Sequence, residues 1–280
     1  MAIIAISRQM GSQGYTIAAA VAKALNYDYV DRQMIVNAAK AYDVRPANWA
    51  QVAYRHLSGW QAVNDETLRY RTFLDTAYYK VAEKDNVVTV GRGIATLVHG
   101  ISHALRIRII APLEVRVART MEKENLDHAK ATHRVHQYDR DVTARIGYLF
   151  GPAWMFPENY DLVINTVHDD PALYADVVVS LASHPRFRAT PESTQVIKDR
   201  SLAAQVRCAI AQNADTWTAH LDATADKGHV SLKGPVWDAA VRDGALRVAK
   251  GRALSAVARV LPSAKTIAGI AHRSFALVRH

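Results

Sequence analysis

The chain has 280 residues, of which half are hydrophobic, with a formal net charge of +9 and one cysteine. This length can bury one large core or two modest ones, and a single cysteine excludes an intramolecular disulfide. No Cys/His cluster has zinc-ligand spacing, no apolar run is long enough to cross a bilayer, and no basic leader precedes the first strand. We therefore expect a cytoplasmic globular protein of one or two domains.

The first two thirds of the chain alternate between strand and helix patterns. Apolar runs predict strands at residues 3–6, 27–30, 86–90, 105–110 and 160–165. Helical patterns occur at residues 16–25, 33–42, 49–83, 94–98, 112–124, 129–149 and 170–182. Strands that alternate with helices are typical of a parallel sheet flanked by helices. We predict an α/β domain over residues 1–185.

A different pattern follows a polar, proline-bearing stretch at residues 186–196, which indicates a linker. It consists of a helix at 198–212, strands at 220–225 and 229–232, a helix at 236–250 and a strand at 253–261. We predict a small α+β domain at residues 197–263 and a basic helix or tail at 264–280.

A glycine loop joins the first strand to the first helix. Backbone N–H groups of such a loop, together with the positive end of the helix, form a cradle for a di- or triphosphate. We predict that the cradle consists of Gly11, Ser12, Gln13, Gly14, Tyr15 and Thr16. Thr16 stands where a hydroxyl would bind Mg²⁺. A tight strand-to-helix turn without a ligand would have the same sequence.

This loop lacks the lysine that normally stands next to the Ser/Thr and reaches the outer phosphates. The corresponding residues are Gly14 and Tyr15, and neither carries a charge. Arg8 is the nearest cation. We expect either Arg8 or an arginine of the lid segment described below to replace the lysine.

Polar residues also follow two other predicted strands. Asp31 and Arg32 come after the second strand, and Arg92 comes after the third. Ligands of open α/β sheets bind outside the carboxyl ends of the strands. We expect Arg32 and Arg92 to hold an acceptor phosphate and Asp31 to orient its sugar or base. A surface ion pair would explain each residue taken alone.

Further arginines occur in two consecutive helical segments. The first contains Arg116 and Arg119, and the second contains Arg134, Arg140 and Arg145 among aspartates. The second set suits a lid that closes on a polyphosphate and excludes water. A charged, exposed helix would have a similar sequence.

Taken together, these segments resemble the cytidylate kinase-like family of P-loop proteins. The resemblance rests on residues 4–14, 29–32, 90–93, 139–140 and 160–166. It implies a nucleoside monophosphate kinase fold and transfer of a phosphoryl group from ATP, with Mg²⁺, to CMP or a similar acceptor. By position, Gly11 to Thr16 would be the donor-phosphate loop, and Asp31, Arg32 and Arg92 would be the acceptor site. The catalytic cations would be Arg8, Arg134, Arg140 and Arg145. Members of this family often carry arginine after the second glycine, where this chain has Tyr15.

The C-terminal part resembles a BON domain, through residues 199–211, 221–224, 228–236 and 253–260. Such domains are associated with phospholipid or ligand binding. From residue 241 onwards, eight Lys and Arg residues stand against one Asp. A basic region of this kind can favour anionic lipid, nucleic acid or an acidic partner. Of these we expect an anionic membrane surface or an acidic partner, and do not expect nucleic acid. A solvated face or a structural appendage accounts for the excess equally well.

The sequence thus leads to a main hypothesis and two alternatives. The main one is a nucleoside monophosphate kinase with an atypical loop that lacks the lysine. The second is a catalytically degenerate nucleotide sensor whose BON-like domain carries the output. The third places the function in the basic C-terminal region, attached to a membrane or to nucleic acid.

Overall fold

The computed structural model describes residues 2–30, 65–91, 93–217, 221–234, 238–252 and 259–261. Asp31, Arg32 and Arg92 lie outside these residues, as do the predicted helix at 33–42 and the start of the predicted helix at 49–83. The chain divides into two compact units. The first comprises Met1–Gln61 and Lys84–Ser193, and the second comprises Ala62–Glu83 and Thr194–His280.

A five-stranded sheet forms the centre of the first unit. Its strands are β1 (Ile3–Arg8), β2 (Asp28–Val30), β3 (Val87–Val90), β4 (Ala104–Ile110) and β5 (Leu162–Asn165). Their order is β2-β3-β1-β4-β5, and each neighbouring pair is parallel. The predicted parallel α/β fold is therefore confirmed. All five carboxyl ends lie at one edge of the sheet, which is where open α/β sheets bind ligands.

Helices flank the sheet of the first unit. Those of the first unit are α1 (Gly14–Leu25), α3 (Ile94–Leu97), α4 (Leu113–Glu124), α5 (His128–Phe150) and α6 (Pro171–Ser183), whereas α2 (Asp65–Ala82) belongs to the second unit. Ile4 and Ile6 of β1 share one buried cluster with Ile17 and Val21 of α1 and Val178 of α6. Each such side chain contributes about 1.5–3 kcal/mol on burial. This explains why β1 is a continuous apolar run.

The strand β5 begins two residues later than the apolar pattern predicts. Asp161 precedes it and pairs with β4, where the backbone N–H and Nη2 of Arg106 donate to its carboxylate at 2.8 and 3.0 Å. Tyr160 precedes Asp161 and donates its hydroxyl to the carbonyl of Trp154 at 2.6 Å. The strand therefore starts only after two side chains that make tertiary contacts.

The stretch expected to be a linker contains the first turns of α7 (Pro191–Gln212). The backbone N–H of Ser193 donates to Oγ1 of Thr190 at 3.2 Å, and the backbone N–H of Thr190 donates to Oγ of Ser193 at 2.9 Å. This reciprocal pair of hydrogen bonds resembles a capping box, and Pro191 occupies the first helical position. Polar residues that suggested a loop are thus the N-terminal cap of a helix.

The second unit has the predicted order of helix, strand, strand, helix and strand. After α7 come β6 (Asp222–Asp226), β7 (His229–Lys233), α8 (Ala239–Arg252) and β8 (Arg259–Leu261). The strand β7 pairs antiparallel with β6 and parallel with β8. Val206, Val230 and Leu232 belong to the core of this sheet and its helices. The BON resemblance, and the anionic membrane or acidic partner that it suggests, remain predictions.

The helix α2 joins this unit through α7. Oγ1 of Thr76 donates to the carbonyl of Ala204 at 3.0 Å, and Phe73 and Tyr78 are almost completely buried. The expected domain at 1–185 includes this helix, whereas its contacts place it with the C-terminal residues. Among the helices of the described ranges, none is both long and apolar enough to span a bilayer.

A buried carboxylate on α2 pairs with an arginine of α7, which in turn pairs with β6 of the second unit's sheet. Asp75 is 5% exposed, and its Oδ2 lies 3.9 Å from Nη2 of Arg207, which also pairs with the exposed Asp222 at 3.3 Å. Burial raises the pKa of Asp75 to about 6, although Arg207 and Arg71 oppose the rise. The folded protein thus holds a proton between about pH 4 and 6 that the unfolded chain releases.

We predict that Asp75 contributes a negative slope to the plot of stability against pH between about pH 4 and 6, and that the Asp75→Asn variant loses this contribution. The charged form at neutral pH costs on the order of 1–3 kcal/mol relative to a group with an ordinary pKa. Urea denaturation across this pH range measures the effect. Asp222→Asn removes the other acid at Arg207 and serves as the control, since Asp222 makes the smallest contribution to the raised pKa of Asp75 and most of the slope should remain. A slope retained in Asp75→Asn would contradict the assignment.

Candidate functional site

A cavity of about 510 Å³ lies within the first unit, at the carboxyl ends of β1 and β3. Its walls come from the loops after these two strands, the last turns of α4, one face of α5 and the segment before β5. The volume suits a small-molecule ligand. The cavity therefore lies where the parallel topology favours ligand binding.

The loop after β1 lines this cavity and is held by hydrogen bonds to its own backbone and to the chain after β4. Gln13 has a left-handed backbone, with φ of 59°, and precedes the first residue of α1. Oγ of Ser12 donates to the carbonyl of Gln9 at 2.8 Å, and the side chain of Gln9 accepts from the backbone N–H of Ala111 at 3.1 Å. Ser12 is completely buried and does not line the cavity, unlike the other five residues of the predicted cradle.

Close packing requires both glycines of the loop. Gly11 has φ of +74°, and a Cβ there would lie 2.6 Å from the carbonyl oxygen of Arg116 on α4. A Cβ at Gly14 would lie 2.5 Å from Cβ of Arg8. Such distances are below van der Waals contact, so a larger residue would displace α4 or Arg8. The loop backbone is therefore in direct contact with α4.

Arg8 lies between two tyrosines at the cavity wall. Its Nη2 donates to the hydroxyl of Tyr15 at 2.6 Å, and its Cζ is 4.7 Å from the ring centroid of Tyr15 and 5.3 Å from that of Tyr138 on α5. These distances are those of cation–π contacts. Burial acts against the charge, but Tyr138 and Tyr15 more than offset it, so the pKa of Arg8 lies above its usual value. Tyr15, which replaces the expected cation, is a direct partner of Arg8.

The two arginines of α4 connect structural elements. Arg116 is 5% exposed, and its Nη1 donates to both carboxylate oxygens of Asp139 on α5 at 3.0 and 2.9 Å. Arg119 donates to the carbonyl of Gly11 at 3.3 Å and to that of Thr166 at 2.9 Å. Arg119 thus links the glycine loop to the end of β5. Both guanidinium groups have protein partners in the first unit.

The helix α5 presents only two of its three predicted lid arginines to the cavity. Arg134 and Arg145 line it, together with Tyr138 and Asp141. These four residues follow the spacing of one helical face. Arg140 is exposed and does not line the cavity, because six residues from Arg134 correspond to about 240° of rotation. Nε of Arg134 lies 3.3 Å from the carboxylate of Glu124.

Residues that we did not single out also line the cavity. Lys123 is an exposed residue in the last turn of α4, and Trp154 and Tyr160 precede β5. Arg108 of β4 lies behind them, 5.0 Å from the Trp154 ring, and donates to the Trp154 carbonyl at 3.2 Å. An arginine within a strand of the sheet, such as Arg108, indicates a polar or aromatic partner nearby, because arginine is rarely buried without one.

The predicted acceptor residues Asp31, Arg32 and Arg92 lie outside the described residues, so their role remains a prediction. Gly91 and Gly93, which flank Arg92 in sequence, line the cavity. In the described ranges no group of three His, Cys, Asp or Glu residues could hold a metal ion. Mg²⁺ that arrives with a nucleotide needs few protein ligands, and Thr16 lines the cavity with a suitable hydroxyl. The residues present therefore fit a nucleotide with its Mg²⁺.

A sequence profile of the cytidylate kinase-like family matches residues 3–168, which is more than half of the chain. The chain belongs to this family. The matched span includes the glycine loop, the residues after β3 and the arginine face of α5. The second unit, apart from α2, lies beyond the match.

Individual relatives cover smaller parts of the chain. The cytidylate kinase of Staphylothermus marinus is 32% identical over 105 residues, which are 38% of this chain and 58% of that protein. The uronate isomerase of Corynebacterium glutamicum is 39% identical over 87 residues, which are 30% of this chain and 16% of that protein. The chain thus spans less than two thirds of either relative. A crystal structure of an uncharacterized protein from Eubacterium ventriosum aligns with a TM-score of 0.52 at 18% identity, covering 66% of this chain and all of that one, and shares the fold.

We predict that Gly11→Ala destabilises the first unit more than Gly91→Ala does. Both glycines have positive φ, which costs about 1–2 kcal/mol for alanine. Only at Gly11 would the new Cβ meet α4, since no described atom lies within 4 Å of a Cβ at Gly91. This overpacking adds about 1–3 kcal/mol. Urea denaturation measures both variants, and equal losses would contradict the close contact.

Proposed function

We propose that this protein is a nucleotide kinase, which transfers the γ-phosphoryl group of ATP to the phosphate of a cytidylate-type nucleoside monophosphate. One observation carries the proposal: the glycine loop and the arginine face of α5 line the same cavity at the carboxyl edge of the sheet. Membership of the cytidylate kinase-like family supports it, and the cytidylate kinase relative supports the class of acceptor.

Phosphoryl transfer depends mainly on positioning and on neutralising charge. An oxygen of the acceptor phosphate forms a bond to the γ-phosphorus as the bond to the bridging oxygen breaks, which yields two nucleoside diphosphates. The loop N–H groups and the start of α1 would hold the donor phosphates, with Thr16 as a ligand of Mg²⁺. Arg134 and Arg145 would stabilise the transferring group, and Asp31, Arg32 and Arg92 would bind the acceptor.

We predict that Arg134→Ala and Arg145→Ala each lower kcat/KM by about 100-fold, as expected when one donor to a transition-state oxygen is lost. Arg140→Ala should stay within about threefold of the natural chain, because this residue lies off the cavity face. A coupled assay with CMP, dCMP, UMP and AMP as acceptors measures these rates. No turnover of any acceptor at high enzyme concentration would overturn the kinase proposal. Equal losses in all three variants would instead favour a lid that uses every arginine.

A second candidate is a nucleotide sensor without turnover. The observation in its favour is the contact between Arg8 and Tyr15, because the cation nearest to the loop already has an aromatic partner. Such a protein would bind ATP through its loop and pass the signal to the second unit.

The Tyr15→Lys variant separates the two candidates. If the natural chain is a sensor, a lysine at this position restores the missing cation and turnover appears, while ATP still binds in calorimetry. If the natural chain is a kinase, it turns over CMP or a related acceptor without this change. Tyr15→Phe is the matched control, since it removes the hydroxyl contact to Arg8 and adds no charge. If the natural chain is inactive and the Tyr15→Lys variant binds ATP but is also inactive, the missing cation is not the reason for the lack of turnover.

A further inference from the structure

We propose that Lys123 of α4 supplies the ammonium group that the glycine loop lacks, and that it contacts the terminal phosphate of the nucleotide donor. This inference rests on the proposed function in one respect: it requires a nucleotide polyphosphate in the cavity. It assigns a phosphate-binding role to a residue on a different element from the loop.

The first step is that α4 has a defined position against the loop. The backbone of Gly11 approaches that of Arg116 so closely that a Cβ would lie 2.6 Å from the Arg116 carbonyl oxygen. Farther along the helix, Nη1 of Arg119 donates to the carbonyl of Gly11 at 3.3 Å. Two successive turns of α4 thus contact the same loop residue.

The second step is the position of Lys123 on this helix. It follows Arg119 by four residues, so it lies on the same face, about 6 Å farther along the axis. Lys123 lines the same cavity as Gly14 and Thr16. A lysine side chain is long and flexible, and its ammonium group is a compact point charge with three donors. The Lys123 side chain can therefore adjust its conformation to contact a phosphate that is bound at the loop.

The third step concerns the other cations that line the cavity. Arg8 contacts Tyr15, Arg119 contacts backbone carbonyls, and Arg134 pairs with Glu124. Arg145 also has an interaction partner. Within the described ranges, the side chain of Lys123 forms no hydrogen bond or ion pair, and the residue is exposed. Its charge thus requires no broken contact before it meets a phosphate.

A different explanation is that Lys123 only complements the negative end of the helix dipole. That role would change the melting temperature and would be insensitive to the number of phosphates on a nucleotide. The experiment therefore compares ATP, ADP and AMP.

Calorimetry on the full chain, with Lys123→Met as the test variant, measures the affinity for each nucleotide. Methionine keeps much of the aliphatic stem and removes the charge. We expect the affinity for ATP to fall at least tenfold and that for AMP to change less than twofold. Lys130→Met is the matched control, because Lys130 pairs with Asp127 at 2.8 Å on the surface and does not line the cavity. It should bind all three nucleotides as the natural chain does.

Restoration of the charge gives a second readout. The double variant Lys123→Met with Tyr15→Lys should regain most of the lost ATP affinity, since the new lysine extends from the loop itself. In the natural chain ATP should raise the melting temperature, and Lys123→Met should lose most of this increase while its ligand-free melting temperature stays the same.

The outcomes separate this inference from the kinase proposal. Unchanged ATP affinity in Lys123→Met, equal losses for ATP and AMP, or an equal loss in Lys130→Met would each overturn the role of Lys123. A natural chain that binds no nucleotide would also overturn it. A natural chain that binds ATP through Lys123 and phosphorylates no acceptor would overturn the kinase proposal alone.

Discussion

The close approach of Gly11 to the backbone of Arg116 is the constraint on which the rest of the site depends. It allows α4 to pack directly on the glycine loop. The side chain of Arg116 then continues to Asp139, so that α5 is connected to the same point. Val117, Ala131 and Val135 form a small apolar cluster between the two helices, and this cluster contacts Met10 of the loop. The arginine face of α5 is thereby positioned by a chain of contacts that begins at one glycine.

This chain of contacts gives the glycine loop two physical roles. Its small residues leave backbone N–H groups available for a phosphate, and they also admit the neighbouring helix and the Arg8 side chain. The same glycine pattern would therefore be retained whether or not the protein transfers a phosphoryl group. Tyr15 stands where the loop pattern predicts a cation. Together with Tyr138 it contacts a different cation, Arg8, and holds it near the loop.

The sequence was sufficient for the parallel sheet, because buried strands such as Ile3–Arg8 are apolar along nearly their whole length. It could not place the start of β5, which depends on a pairing of Asp161 with Arg106 across the sheet. The start of α7 was mistaken for a linker because capping residues and loop residues have the same composition. In the site, helical spacing alone could have separated Arg140 from Arg134 and Arg145. The tyrosine partners of Arg8 and the position of Lys123 at the cavity could not be predicted, because both depend on how α4 and α5 pack.

The second unit is discontinuous, since residues 62–83 interrupt the chain of the first unit and pack with residues after 193. A single cut therefore cannot separate the two units cleanly. A fragment that ends at residue 185 would keep α2, with its buried Phe73, Leu74 and Tyr78, and lose α7, to which α2 is hydrogen-bonded. We expect apolar surface left without its partner in this way to favour aggregation, even if the cavity of the first unit is intact. A truncation that isolates the family-matched part must also replace residues 62–83 with a short polar connection.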